Sequence, residues 1–158
     1  MGITKQEAID IVNEFHEKST FDDVKPLELA LESINNLLEK KHELFVITAR
    51  PIRLKKKVED WINHYLKDSS IKIIHSGDFH EGQAANKADI CLKLGIGLLL
   101  EDKRETVIEC AEKGIKVILF DNPWNKNITN PNIFRVSGWR EAMKKINDLC
   151  EDCTLSHQ

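Results

Sequence analysis

Residues 98–102 read Leu-Leu-Leu-Glu-Asp, an apolar run fit for a fully buried parallel strand that drives straight into two adjacent carboxylates. Open α/β sheets bind their ligands outside the carboxyl ends of their strands. Two acids side by side at such a place repel each other unless a cation or a shared proton separates them, and a divalent metal is the simplest relief. Two further apolar runs behave alike: 44–47 ends in Thr48-Ala49-Arg50-Pro51, and 117–120 ends in Asp121-Asn122-Pro123-Trp124. Three strand mouths therefore carry polar residues.

Periodicity supplies the elements between them. Thr4 and Glu7 have the spacing of a reciprocal cap, and Ala8, Ile11, Val12 and Phe15 then recur on one helical face as far as Lys18. After a loop over 19–25, Pro26 suits a first helical position, and Leu27, Ala30, Ile34, Leu37 and Leu38 form a second apolar stripe with Lys40 and Lys41 at its negative end. A strand over 43–47 precedes a helix from Ile52 whose buried side is Leu54, Val58, Trp61, Ile62 and Tyr65. Residues 71–75 read as a short strand, 76–83 as a polar loop, and 84–94 as a helix stopped by Gly95. A helix through Val107, Ile108 and Ala111 closes at Gly114, followed by the strand 117–120, a long loop 121–132, an edge strand 133–136 and a helix over 138–150. Apolar runs alternating with helical patterns predict an α/β fold: a doubly wound, Rossmann-like parallel sheet with helices on both faces and right-handed crossovers.

At 158 residues the chain fits one domain, 1–158. A net charge of -3 carries no basic excess, which argues against nucleic acid polymers as partners. No apolar stretch reaches membrane-spanning length and the amino end lacks the pattern of a signal peptide, so the expectation is a cytoplasmic protein with no membrane partner. Cys150 and Cys153 stand in a Cys-x-x-Cys with no second pair, and even with His157 they fall short of four zinc ligands; they read as reduced thiols on a fraying final helix. Lys55, Lys56 and Lys57 read as a solvated helix face, and Gly77 with Asp78 as a plain turn.

The polar candidates come in the order Thr48, then Lys87 at the start of a helix, then Glu101 and Asp102. Receiver domains place their acid pair first and their lysine last, and fit only if permuted. The stretches Ile47-Thr48-Ala49-Arg50-Pro51, Asn86-Lys87-Ala88-Asp89-Ile90-Cys91, Leu100-Glu101-Asp102 and Leu119-Phe120-Asp121-Asn122-Pro123-Trp124-Asn125 resemble, in identity and in order, the 5′-nucleotidases of the cytosolic deoxyribonucleotidase type, within the haloacid dehalogenase superfamily. The resemblance covers roughly residues 20–147. It implies a haloacid dehalogenase-like core and a magnesium-dependent phosphohydrolase acting on small phosphomonoesters such as nucleoside monophosphates. Phosphoryl transfer requires fixed donors on the phosphate oxygens and a metal that bridges phosphate and carboxylate. By resemblance, Thr48 and Lys87 are the catalytic phosphate holders, with Ala49 and Arg50 beside them on the substrate, while Asp102 with Glu101 binds Mg2+ directly or through water.

The family's first strand ends in Asp-x-Asp and carries the nucleophile, and no apolar run in this sequence ends that way. Asp22 and Asp23 follow no apolar run and fit a loop before Pro26. The resemblance therefore predicts a core without its first strand, a cap remnant over 1–25, a core over 26–150 and a tail over 151–158, with catalysis impaired for want of the attacking carboxylate. The strands leading to Thr48 and to Glu101 would each keep an open edge. Direct pairing of the two, a strand borrowed within a homo-oligomer or strand-exchanged dimer, and loss of an amino-terminal segment all remain open. Two readings of other classes compete: a non-catalytic phosphate-binding or protein-interaction module, and a permuted receiver-like phosphoacceptor.

Overall fold

The computed structural model describes residues 2–18, 24–66, 70–77 and 85–155. In chain order its elements are α1 (Lys5–Lys18), α2 (Ala30–Glu39), β1 (Phe45–Thr48), α3 (Lys55–Tyr65), β2 (Lys72–His75) and α4 (Lys87–Leu94). Then follow β3 (Leu98–Glu101), α5 (Arg104–Glu112), β4 (Lys116–Phe120), β5 (Ile133–Val136) and α6 (Trp139–Leu155). Short 3-10 turns at Ile52–Leu54 and Pro123–Asn125 precede α3 and β5.

Every strand pairing is parallel. β1 pairs with β2, from Phe45 beside Lys72 to Thr48 beside His75, and a second sheet has the order β3-β4-β5. The layers follow from the alternation along β4, because successive strand side chains point to opposite faces. Val117 and Leu119 pack with Ala88 and Cys91 of α4 and with Val107, Cys110 and Ala111 of α5. Ile118 joins Leu37 of α2 with Ala142 and Ile146 of α6. Helices thus cover both faces of a parallel sheet, the Rossmann-like α/β arrangement that the alternating pattern predicts. Val58 and Ile62 of α3 and Ile71 make a third cluster with Leu31, Ile34 and Leu38 of α2.

Local signals explain most boundaries. Thr4 and Glu7 cap each other, with the Thr4 N–H donating to Glu7 Oε2 at 2.6 Å and the Glu7 N–H to Thr4 Oγ1 at 3.2 Å. Gly95 and Gly114 end their helices at φ 69° and 82°, values that cost an L side chain but not glycine. Four expectations are corrected. The second helix begins at Ala30 rather than Pro26, because Leu29 sits at φ 63°, and Leu27 is 70% exposed instead of joining the stripe. α4 starts at Lys87 rather than 84, since Asn86 takes the cap position, and α6 continues to Leu155, past the expected fraying point. The expectation of a fully buried strand at 98–100 also fails: Leu98, Leu99 and Leu100 are only half-buried, whereas Val117, Ile118 and Leu119 are fully so.

The cause is the edge. Among the described residues β3 pairs only with β4, and β1 only with β2. Between them lies a cavity of about 380 Å³, walled by Phe45, Val46 and Ile47 on one side and Leu98, Leu99 and Leu100 on the other. The readings placed on Asp22, Asp23, Asp78 and His157, and on the side chain of Cys153, fall outside the described residues and side chains. Cys150 is a partly buried free thiol packed against the Ile118 cluster. No helix of the described residues is long and apolar enough to cross a membrane.

The sheet makes a stability prediction. Ile118→Ala is expected to cost about 2–5 kcal/mol by urea unfolding, the range for a fully enclosed aliphatic truncation. Leu98→Ala, whose flank already faces a cavity, is expected to cost clearly less; equal losses would show that β3 is enclosed on both sides.

Candidate active site

The site starts from one helix cap. Asn86 has extended backbone, and its Oδ1 accepts the Ala88 N–H at 2.8 Å, which starts α4 at the next residue, Lys87. The Asn86 side-chain amide also donates to Glu109 of α5, tying the two helices at this point. Lys87 Nζ then donates to Glu101 Oε2 at 2.6 Å, with side chains only 21% and 8% exposed. The other oxygen, Glu101 Oε1, accepts the backbone N–H groups of Asp102 at 2.9 Å and Lys103 at 3.1 Å. Lys103 occupies the cap of α5 and offers no capping side chain, so Glu101 serves the free N–H groups of that helix start.

These contacts set the charges. Burial works to raise the Glu101 pKa, but the Lys87 ammonium and the two backbone N–H groups outweigh it, and the net value lies below that of an ordinary glutamate. Asp102 goes the other way: burial first, then its hydrogen bond to Glu101 and that group's negative charge, raise its carboxyl above the ordinary aspartate value. Here is the repulsion that two consecutive acids at a strand mouth must create. Lys87 answers the charge of Glu101 directly and leaves Asp102 as the group that still gains from a cation.

Thr48 closes β1 and is 6% exposed. Its Oγ1 accepts the Arg50 N–H at 3.2 Å, while its carbonyl accepts both the Ser76 N–H at 2.9 Å and the Ser76 hydroxyl at 3.2 Å. Among the described residues the Thr48 hydroxyl proton has no acceptor. Ala49 and Arg50 follow it as exposed residues. Ile47 and Lys87 line the same cavity, so the mouth of β1 and the start of α4 meet across the gap between the sheets. Lys87 thus contacts Glu101, Glu101 contacts the backbone of Asp102, and Thr48 stands next to the cavity wall that Lys87 shares. Beside Thr48 in register, His75 has both ring nitrogens buried without a hydrogen-bond partner among the described residues.

Two supports complete the site, the first of them without a reading from sequence alone. One is the Asn86 cap, legible in retrospect as an asparagine directly before a helical pattern. The other is the turn after β4, which the sequence leaves open between a plain turn and a place beside the site: Trp124 Nε1 and Asn125 Nδ2 both donate to the Asp102 carbonyl, at 3.2 and 2.8 Å. Asp121 is bound by Lys126 and Arg135, whose hydrogen bonds, that of Lys126 first, and positive charges hold its carboxyl below the ordinary value.

The donors present fit magnesium. Among the described residues no three His, Cys, Asp or Glu side chains gather into a closed metal site, as structural zinc requires. Magnesium is commonly held by one or two carboxylates, with water and substrate phosphate completing its shell, and Asp102 beside a carboxylate already neutralised by lysine is such a set.

The chain matches the family model described as "5' nucleotidase, deoxy (Pyrimidine), cytosolic type C protein" over residues 2–150. It is 30% identical to the "Putative nucleotidase YqfW" of Bacillus subtilis over 153 residues, which cover 94% of this chain and 72% of that one. It is 27% identical to the "Putative nucleotidase BH1399" of Halalkalibacterium halodurans over 94% of this chain and 72% of the relative. With the "Nucleotidase CA_C3379" of Clostridium acetobutylicum it shares 26% identity over 88% of this chain and 70% of the relative. An acid pair at the mouth of a parallel strand, a lysine clamped to it and a match along nearly the whole sequence agree: the chain belongs to the cytosolic type C 5′-nucleotidase family, in the haloacid dehalogenase superfamily.

Proposed function

We propose that the protein is a magnesium-dependent 5′-nucleotidase-type phosphohydrolase of the cytoplasm, acting on small phosphomonoesters such as nucleoside monophosphates. The observation that carries this reading is the contact set Lys87, Glu101 and Asp102, with Lys87 on the wall of the cavity between β1 and β3. In this reading residues 1–25 belong to a cap, 26–150 form the core and 151–158 the tail of one domain. The exposed apolar residues of α1, Ile11 at 56% and Val12 at 48%, suit a helix that covers something other than the sheet.

The uncommitted hydroxyl of Thr48 and the backbone at Ala49 receive the phosphate, Lys87 neutralises its oxygens, and Arg50 reaches toward the rest of the substrate. Glu101 holds Lys87 in place and, with Asp102, provides the carboxylates for Mg2+. When bound, the ion supplies Lewis-acid stabilisation of charge on the phosphoryl oxygens. Transfer to the enzyme needs a carboxylate nucleophile, and none of the residues in this contact set is free to attack. The facing edges of β1 and β3 suit one more parallel strand, and we place there an extended segment that ends in an aspartate beside Lys87. A partner copy in a homo-oligomer is one way for an open edge of this kind to be covered.

Two outcomes are expected. First, phosphate release from nucleoside monophosphates by this chain with Mg2+ rises when an apolar peptide ending in Asp-x-Asp is added, and falls to background with a chelator or in Asp102→Ala. Binding of inorganic phosphate with no release under any of these conditions would favour a non-catalytic module instead. Second, Lys87→Met leaves Glu101 buried without its partner and is expected to cost about 3 kcal/mol at neutral pH by urea unfolding. The folded-state pKa of Glu101 is lowered, so the stabilisation it brings is present above its unfolded value and lost as pH falls through the folded one. The gap between wild type and Lys87→Met should therefore narrow on acidification. A gap that stays constant down to strongly acidic pH contradicts the ion pair.

A further inference from the structure

Asn125 is the only fully buried side chain among the described residues that carries an amide, and all its hydrogen-bonding capacity is spent at one spot. Its Nδ2 donates to the carbonyls of Asp102 and Phe120, both at 2.8 Å. Its Oδ1 accepts the Asn122 N–H at 3.1 Å and Arg135 Nη1 at 2.9 Å, and its own carbonyl accepts Arg135 Nη2 at 2.9 Å. An asparagine side chain has two donor hydrogens and two acceptor lone pairs, so this one is saturated. It joins the end of β3 to the end of β4 through a single planar group. Trp124, 60% exposed, adds a second donor to the Asp102 carbonyl through Nε1.

We propose that the Pro123–Asn125 turn is a positioning brace for the metal-binding carboxylate: Trp124 and Asn125 fix the peptide plane after Asp102, and with it the direction in which the Asp102 side chain leaves β3. This inference rests on the reading of Asp102 as a magnesium ligand. A carbonyl held by two donors from another loop cannot swing about the adjoining backbone torsion without breaking both bonds. The brace acts through Asp102 and touches neither phosphate nor ion, so Trp124 and Asn125 are positioning residues. Arg135 completes it from β5, since its guanidinium bonds Asn125 at two atoms and Asp121 at 2.7 Å.

Mn2+ serves as a probe for the magnesium site, with affinity read by electron paramagnetic resonance and proximity by its broadening of the indole N–H signals of Trp61, Trp124 and Trp139. Asn125→Leu strands four partners and is expected to disturb folding, so Trp124→Phe is the informative variant. It removes one N–H from an exposed ring, and its thermal midpoint is expected to stay within about 2 °C of wild type. Loss of one hydrogen bond that holds a ligand's backbone is expected to weaken Mn2+ binding roughly 3- to 10-fold. Mn2+ should also broaden the Trp124 indole signal in wild type before those of Trp61 and Trp139. Unchanged Mn2+ affinity in Trp124→Phe, in a protein whose Asp102→Ala variant has lost the ion, overturns the brace and leaves the metal reading intact. Wild-type protein that binds no Mn2+ overturns both.

Discussion

The placement of two consecutive carboxylates at the end of a strand is the constraint on which the rest of this structure turns. Glu101 and Asp102 stand where the chain leaves β3, and burial together with the hydrogen bond and charge of Glu101 raises the pKa of Asp102. Lys87 is the protein's own answer, a cation 2.6 Å from Glu101 in a setting where both side chains are largely withdrawn from water. Removing water strengthens the attraction but makes each charge costly when alone, so the geometry of Lys87 has to be secured from outside. Asn86 does that by capping α4, which therefore starts at Lys87, and by reaching across to Glu109. The same economy appears at Glu101, whose second oxygen takes the N–H groups at the start of α5.

Charge balance of this kind leaves a definite remainder. Glu101 has one oxygen bound by Lys87 and the other by two backbone N–H groups, whereas Asp102 keeps a carboxyl whose pKa is raised by burial and by its neighbour. A divalent ion shared with a phosphate would relieve that repulsion, and membership of a nucleotidase family implies a small phosphomonoester as the source of the phosphate. The gap between β1 and β3 belongs to the same account. Lys87 and Ile47 both line it, and it separates the strand edges of β1 and β3 between which we place a further strand.

Much of this was legible in the amino-acid pattern, because its elements obey local rules. The reciprocal cap at Thr4 and Glu7, the stops at Gly95 and Gly114 and the edge strand at Ile133–Val136 follow from spacing and residue type. What the pattern misjudged depended on neighbours far along the chain. Leu98, Leu99 and Leu100 carry the composition of an enclosed strand, yet they are half-buried because one flank has no partner among the described residues. Leu27 has helical spacing with Ala30 and Ile34, but the left-handed turn at Leu29 throws it outward. Of the site, the acids and lysine could be picked out by order. Their mutual contact, the different pKa directions of Glu101 and Asp102, and the bonds from Trp124 and Asn125 to the Asp102 carbonyl arise only when residues more than ten positions apart meet.

The central claim is that Lys87 and Asp102 serve one pocket, in which phosphate and a divalent ion are held together. Two ligands of one pocket must influence each other's affinity by the same factor. Calorimetric titration of inorganic phosphate into the protein, with and without Mg2+, measures that coupling directly. The account predicts that Mg2+ tightens phosphate binding, that phosphate tightens Mg2+ binding equally, and that Asp102→Ala removes the coupling. Phosphate affinity that is indifferent to Mg2+ would contradict it.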